Sequence, residues 1–138
     1  FNQSNFKTIQ DEIDSSENII LHQTRIANED VQHFFKAANV CVCPYRITLN
    51  SGVAHLAHTF RTPVIGPNVG GFKELLSNGG GLTYEQLNFE DLVEKMSKSL
   101  LMDFDKEKNT ILEINKKFNP VKISAEFANT INGGRFND

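Results

Sequence analysis

Asn50, Ser51 and Gly52 have the types and the spacing of residues that bind a phosphorylated ligand. They precede an apolar helical pattern, so Asn50 or Ser51 can cap the helix through its side-chain oxygen. Gly52 lets a ligand approach the backbone closely, and the first turn, with Val53, offers free amides and the positive end of the helix dipole to an anion. An ordinary helix cap uses the same residue types, so these residues alone leave both interpretations open.

A second glycine turn favours the phosphate interpretation. The turn Asn68-Val69-Gly70-Gly71 follows the next apolar run and leads into a helix that contains Glu74. Both turns start from the same edge of the predicted sheet, so we expect them to face one cleft. Glu74 is a candidate for contact with a sugar, although a carboxylate there also favours the helix start.

Arg46, in the loop Pro44-Tyr45-Arg46, is the candidate cation for a diphosphate. A guanidinium group can bind two phosphate oxygens at once. The alternative is an ordinary solvated loop arginine.

Two short apolar runs position these residues. Residues 39–43 (NVCVC) stop at Pro44, and residues 62–65 (TPVI) stop at Gly66; both are typical of strands that are buried on two faces. Between them, Val53, Leu56, Ala57 and Phe60 recur at helical spacing and predict an apolar stripe that packs against the sheet. The unit is a strand, loop, helix and strand, and ligands bind outside the carboxyl ends of such strands.

Two histidines lie on this helix. The predicted stripe puts His55 and His58 on the face away from the core, so neither is expected to be buried. Their spacing of three residues permits a metal pair, but no third ligand is near in the sequence. We therefore expect no metal.

The rest of the chain continues the alternation of helices and strands. Helices are predicted over residues 1–14, from Asn28, over 88–102, 106–118 and 120–131, with strands over 18–22 and 82–84 and a frayed tail over 133–138. Gly79-Gly80-Gly81 is interpreted as a structural turn. The start is unusual for an α/β domain because a polar helical segment stands where an apolar strand is typical, which suggests a piece of a longer protein.

Composition limits the function classes. With 138 residues, 14 basic and 17 acidic side chains and a formal charge of -3, the chain is typical of one soluble domain and not of a general nucleic-acid or anionic-membrane surface. No signal peptide or membrane-spanning run is visible. Cys41 and Cys43 share one strand face and are expected to be reduced, which favours the cytoplasm.

Several of these residues resemble the donor-binding, C-terminal domain of GT-B glycosyltransferases, and most closely glycosyltransferase family 4. The similarity covers residues 17–127 and rests on Ala38-Asn39-Val40, Pro44, Pro63-Val64-Ile65, and Val69-Gly70-Gly71 followed by Glu74. It implies an α/β fold: a Rossmann-like parallel sheet flanked by helices, truncated at its N-terminal edge. The segment Ser51–Ala57 is also similar to a signature of heptosyltransferase-type enzymes and to the Ser-Gly turn of nucleotide-sugar 2-epimerases, where the backbone holds the donor diphosphate.

The resemblance also implies roles for individual residues. The donor diphosphate would lie against Asn50, Ser51, Gly52, Val53 and Arg46. The sugar and nucleotide would lie near the set Thr48, His55, Gly70, Gly71, Glu74 and Arg25, with Arg25 in a loop that reads the base or stays solvated. Two family glutamates fall on Thr48 and Leu56, neither of which is a carboxylate, and Leu56 is expected to point into the core. Catalytic residues cannot be assigned, and no metal cofactor is implied.

The resemblance thus implies a donor domain over residues 1–132 that binds a nucleotide-diphosphate sugar for transfer to an acceptor hydroxyl in polysaccharide or cell-surface glycan synthesis. A missing N-terminal domain would bind the acceptor and carry a further Arg/Lys pair, so this piece alone would turn over little. The protein would be cytoplasmic, or held at a membrane surface through the missing domain. The alternatives are a 2-epimerase-like enzyme, which lacks support because the expected acidic residues are absent, and a degenerate binding module, which the loss of both glutamates supports.

Overall fold

A computed structural model of the chain describes residues 3–117 and 124–125. The chain forms two compact units, and the division falls between Val31 and Gln32. The helix predicted over 120–131 lies mostly, and the tail over 133–138 entirely, outside the described residues.

The first unit contains α1 (Gln3–Asp14) and the first residues of α2 (Asn28–Ala37). The strand predicted over residues 18–22 does not form, and Ile19, Ile20 and Leu21 are exposed. That prediction was wrong because an apolar run becomes a strand only where another strand satisfies its backbone groups, and the described part of this unit contains no strand.

The second unit is built on a parallel sheet. Its strands β1 (Cys41–Val42), β2 (Val64–Pro67) and β3 (Gly81–Tyr84) are paired in that order, with Val64 opposite both Cys41 and Gly81. The helices α3 (Gly52–Thr59) and α4 (Gly70–Leu76) connect the strands, and α5 (Phe89–Ser99) and α6 (Phe104–Lys117) follow β3. The predicted α/β class and parallel sheet are confirmed.

Helices cover both faces of this sheet, since successive strand residues point in opposite directions. On one face, α3 and α4 enclose a core cluster of Cys43, Ala54, Ala57, Val64, Phe72, Leu75 and Leu76. On the other face, Leu92 of α5 packs with Ile65 and Tyr84 of the sheet. The turns before α3 and α4 follow the ends of β1 and β2, so both turns lie at the carboxyl edge of the sheet.

The buried face of α3 differs from the predicted stripe. Ala54, Ala57 and His58 are buried, whereas Val53 and Leu56 are 42% and 39% exposed. The expectations that Leu56 points into the core and that His58 avoids it were wrong. The two alanines let α3 approach the sheet closely, and the His58 side chain finds a hydrogen-bond partner there.

That partner belongs to the triple-glycine turn. His58 Nε2 lies 2.9 Å from Gly80 O, and all three glycines have positive φ. A Cβ on Gly81 would lie 1.9 Å from Val64 O, and a Cβ on Gly80 would lie 2.9 Å from Ile111 Cγ1 of α6. The turn is thus a packing junction, which confirms the structural role predicted for it.

Candidate functional site

The loop before α3 contacts the turn before α4. The Gly71 amide donates a 2.8 Å hydrogen bond to Leu49 O. Gly70 has a φ of +52°, and a Cβ there would lie 2.5 Å from the same carbonyl oxygen; a Cβ on Gly71 would lie 2.7 Å from Asn50 Oδ1. The two glycine turns are therefore neighbours, and the glycines are required for this approach.

Ser51 starts α3. Its backbone is extended, and its Oγ accepts a 3.2 Å hydrogen bond from the Ala54 amide. Asn50 does not cap the helix; its carbonyl oxygen accepts from the Thr48 hydroxyl at 3.0 Å. Of the two capping candidates, the structure selects Ser51, whose side chain is buried and already engaged.

The corner in front of α3 is open. Gly52 is exposed, and a Cβ built on it would meet nothing within 4 Å. Among the described residues, the amides of Gly52 and Val53 make no hydrogen bond, as is usual for the first turn of a helix. These two amides and the positive end of an eight-residue helix can therefore receive an anion.

His55 and Leu56 follow Gly52 on the same exposed face of α3. Residues three and four apart lie one above the other on a helix, so the side chains of His55 and Leu56 border the surface at Gly52. Leu56 presents apolar surface there and cannot hydrogen-bond a sugar hydroxyl. The Thr48 hydroxyl lies within the loop and donates to Asn50 O.

Arg46 lies in a different environment from the open corner. Its carbonyl accepts a 2.8 Å hydrogen bond from Gln86 Nε2, which fastens the loop after β1 to the loop after β3. With Tyr45, Tyr84, Leu87 and other residues it lines a pocket of about 410 Å³ that does not include residues 50–53. Its role toward a diphosphate stays a prediction.

Two further predicted site residues, Glu74 and Arg25, lie outside the loop before α3 and the turn before α4. Glu74 is exposed on α4, a helix of seven residues without a side-chain cap, and Lys73 beside it is also exposed. Arg25 belongs to the first unit. The roles predicted for Glu74 and Arg25 remain predictions.

The sequence reasoning missed two buried polar groups near the sheet. Burial lowers the pKa of His58, and its Nδ1 has no hydrogen-bond partner within residues 3–117. Burial raises the pKa of Tyr84, whose hydroxyl donates to Cys43 O and to Tyr45 O at 3.2 and 3.3 Å. No sequence signal predicts either contact, because the partners are carbonyl oxygens at least 22 positions away.

Other parts of the surface are unsuited to a diphosphate or a metal. A groove of about 610 Å³ beside α6 is lined by three carboxylates, Asp103, Asp105 and Glu113, and one cation, Lys106, so its net negative charge disfavours phosphate. In the described part of the chain, no three His, Cys, Asp or Glu side chains come together in a way that could hold a metal ion. None of the described helices combines the length and the apolar character needed to span a bilayer.

Comparisons with known proteins agree with this geometry. The family model described as "Glycosyl transferases group 1" matches residues 2–102. Among solved structures, sucrose-phosphate synthase from Thermosynechococcus elongatus is similar, with a TM-score of 0.73 and 22% sequence identity. The similarity covers 94% of this chain and 33% of that protein, so the chain spans about a third of its length. A search of curated proteins found no match.

Proposed function

Because the chain belongs to the group 1 family of glycosyltransferases, we propose that it binds the donor, a nucleotide-diphosphate sugar, for transfer of the sugar to an acceptor hydroxyl. The observation that carries the proposal is the open corner at Gly52 and Val53, beside the contact of the two glycine turns. Polysaccharide or cell-surface glycan synthesis in the cytoplasm is the setting we propose. The bounds of the donor domain, 1–132, stay a prediction.

The corner suits the leaving group of such a transfer. When the bond between the sugar carbon and the diphosphate oxygen breaks, negative charge develops on the diphosphate. The amides of Gly52 and Val53 and the end of α3 are fixed dipoles. They interact more strongly with the additional negative charge of the transition state than with the diphosphate of the bound donor, so they lower the barrier. Loss of one fixed donor of this kind typically slows a reaction by about 10²–10³-fold.

The sugar and the nucleotide would extend from this corner along the exposed face of α3. His55 is the polar side chain on that face one turn after Gly52, and Gly70 and Gly71 border the loop on its other side. Glu74 and Arg46 are the carboxylate and the cation that we propose for the rest of the donor site. An acceptor-binding domain is the partner that this proposal requires.

Calorimetry on the full-length chain tests the proposal. Titration with UDP, GDP and ADP sugars should give saturable binding for at least one of them, whereas a CMP sugar, which has a single phosphate, should bind more weakly. Gly52→Asp should abolish this binding, because the new carboxylate lies where the diphosphate binds. The same charge favours the helix start, so the free energy of unfolding should stay constant or rise by about 0.3–1 kcal/mol.

Ser97→Asp is the matched control, since it adds the same charge to the exposed surface of α5 on the opposite side of the sheet. It should leave the affinity unchanged. Equal affinities for Gly52→Asp and Ser97→Asp would show that the donor does not bind at α3.

A degenerate binding module is the second candidate. It is favoured by Thr48, whose hydroxyl is engaged with Asn50 O, and by the exposed apolar side chain of Leu56. Such a module would bind a nucleotide or a partner protein and release no nucleoside diphosphate from a donor. Release of the nucleoside diphosphate from a donor separates the two candidates. It should be measured on a protein that includes an acceptor-binding domain.

A further inference from the structure

A second cavity lies at the carboxyl edge of the sheet, on the α5 side. It has a volume of about 410 Å³ and is lined by Pro44, Tyr45, Arg46, Tyr84, Leu87, Asn88, Phe89 and Leu92. This volume is within the range of about 300–1,000 Å³ that is usual for small-molecule sites. None of these residues belongs to the open corner at α3.

The walls of this cavity are held in place by hydrogen bonds. The Tyr84 hydroxyl donates to Tyr45 O and Cys43 O, and Gln86 Nε2 donates to Arg46 O. The Tyr45 ring packs edge-on against Phe72 at a centroid distance of 5.7 Å. Because the loops after β1 and β3 are tied to each other, the cavity exists before any ligand binds.

Two large apolar side chains stand exposed at this cavity. Leu87 is 70% exposed and Phe89 is 71% exposed. Leu87 also has a φ of +65°, a left-handed conformation that is unusual for leucine. Burial of these side chains under a ligand would recover the hydrophobic free energy that exposure forfeits.

Arg46 places one positive charge at this cavity. Arg46 is the charged residue of its lining, and within residues 3–117 no carboxylate forms a salt bridge with it. The nearby carboxylate of Asp91 is neutralised by Lys95 at 2.7 Å and also accepts from the Glu85 amide. A ligand with an apolar body and one negative charge therefore complements the lining.

From this juxtaposition we propose that the cavity between Tyr45, Arg46 and Phe89 binds a planar aromatic carboxylate. The exposed Phe89 ring offers a stacking contact to a planar ligand, and Tyr45, held by its packing against Phe72, forms part of the wall. The Arg46 guanidinium pairs with the carboxylate in a bidentate manner and can stack on the same ring. This cavity shares Arg46 with the proposed donor site but contains none of residues 50–53, and binding of the carboxylate does not depend on glycosyl transfer.

Titration of the isotope-labelled full-length chain with naphthoate, followed by NMR amide shifts, tests this site. The shifts should be saturable and concentrated on Tyr45, Arg46 and residues 84–89. Arg46→Gln should weaken naphthoate binding by at least about tenfold, while neutral naphthalenemethanol should change by less than about twofold, because only the anion uses the guanidinium. Phe89→Ser should weaken both ligands.

Arg61→Gln is the matched control, since Arg61 is an exposed arginine at the turn before β2, at the opposite edge of the sheet. It should leave both affinities within about twofold of the wild type. Absence of saturable shifts, shifts centred elsewhere, or equal effects of the two arginine substitutions would each overturn the proposal. The titration contains no nucleotide sugar, so its outcome is independent of the donor site.

Discussion

Acidification should destabilise this protein through His58. The imidazole is 1% exposed, and its Nε2 lies 2.9 Å from Gly80 O. Because a carbonyl oxygen can only accept, the neutral ring carries its proton on Nε2 and donates it to Gly80 O. Gly80 is itself held by a 2.9 Å hydrogen bond from its amide to Glu107 Oε2, and the Asn115 side chain donates to His58 O at 2.8 Å. Protonation would put a charge and a second donor, at Nδ1, into a site where the described residues offer no acceptor.

The direction of the change in stability with pH follows from the lowered pKa of His58. Burial, the largest cause, disfavours the charged imidazole in the folded state and outweighs the hydrogen bond to Gly80, which favours it; His55 lowers the pKa further. The unfolded chain takes up the proton at about pH 6.5. The stabilising contribution is therefore complete above this pH and is lost as the pH falls below it towards the folded-state pKa. Between pH 7.5 and 5.5, one proton bound only by the unfolded state lowers the free energy of unfolding by up to about 1.4 kcal/mol.

Urea denaturation at pH 7.5, 6.5 and 5.5 measures this change, with His58→Gln as the comparison. The glutamine amide can donate to Gly80 O in place of Nε2 but cannot be protonated in this range. The variant should lose the pH dependence, whereas His22, His33 and His55 are exposed and remain in both proteins. An equal slope in wild type and variant would refute the assignment to His58, and so would a wild type that gains stability on acidification.

Three further outcomes follow from the packing. Gly81→Ala should prevent folding or cost several kcal/mol, because its Cβ would overlap Val64 O; circular dichroism melts of soluble protein measure this, and a normal melting temperature would contradict it. Tyr84→Phe should lower the free energy of unfolding by about 1–2 kcal/mol in urea titrations through loss of the bonds from its hydroxyl to two carbonyls, and an unchanged midpoint would contradict that. The hydrogen bond between the thiols of Cys41 and Cys43, 4.0 Å apart, lowers the pKa of Cys41 and raises that of the buried Cys43. Iodoacetamide should therefore modify Cys41 first in the native protein. Mass mapping that finds Cys43 modified first would contradict this.

The sequence sufficed for features that are local in the chain. The strands β1 and β2 follow from the apolar runs at residues 39–43 and 62–65, although β2 continues through Gly66 to Pro67. Ser51 as a helix cap follows from its residue type. The contact between the two glycine turns followed from one further rule, that the carboxyl ends of parallel strands share an edge. Gly70 and Gly71 meet Leu49 and Asn50 there, whereas a cleft shared by the two turns stays a prediction.

The features that could not be predicted depend on partners far away in the chain. Arg46 is a generic loop arginine in the sequence, and its place in the second cavity depends on Gln86, 40 positions later. The apolar run at residues 18–22 meets every local criterion for a strand, yet a strand needs a neighbour that the run itself cannot supply. His58 is buried because Gly80, from the turn before β3, offers its carbonyl oxygen.

The orientation of α3 explains why the prediction for Leu56 was wrong, and it decides what surface the candidate donor site has. The apolar stripe of Val53 and Leu56 is as regular as the alternative face of Ala54 and Ala57, so periodicity alone does not choose between them. Packing chooses the alanines, because a helix that presents small residues lies closer to the sheet, and the larger side chains then turn outward. Leu56 therefore stands on the exposed face that begins at Gly52, so the absence of a carboxylate at this position changes the surface of the candidate donor site and leaves the core unaffected.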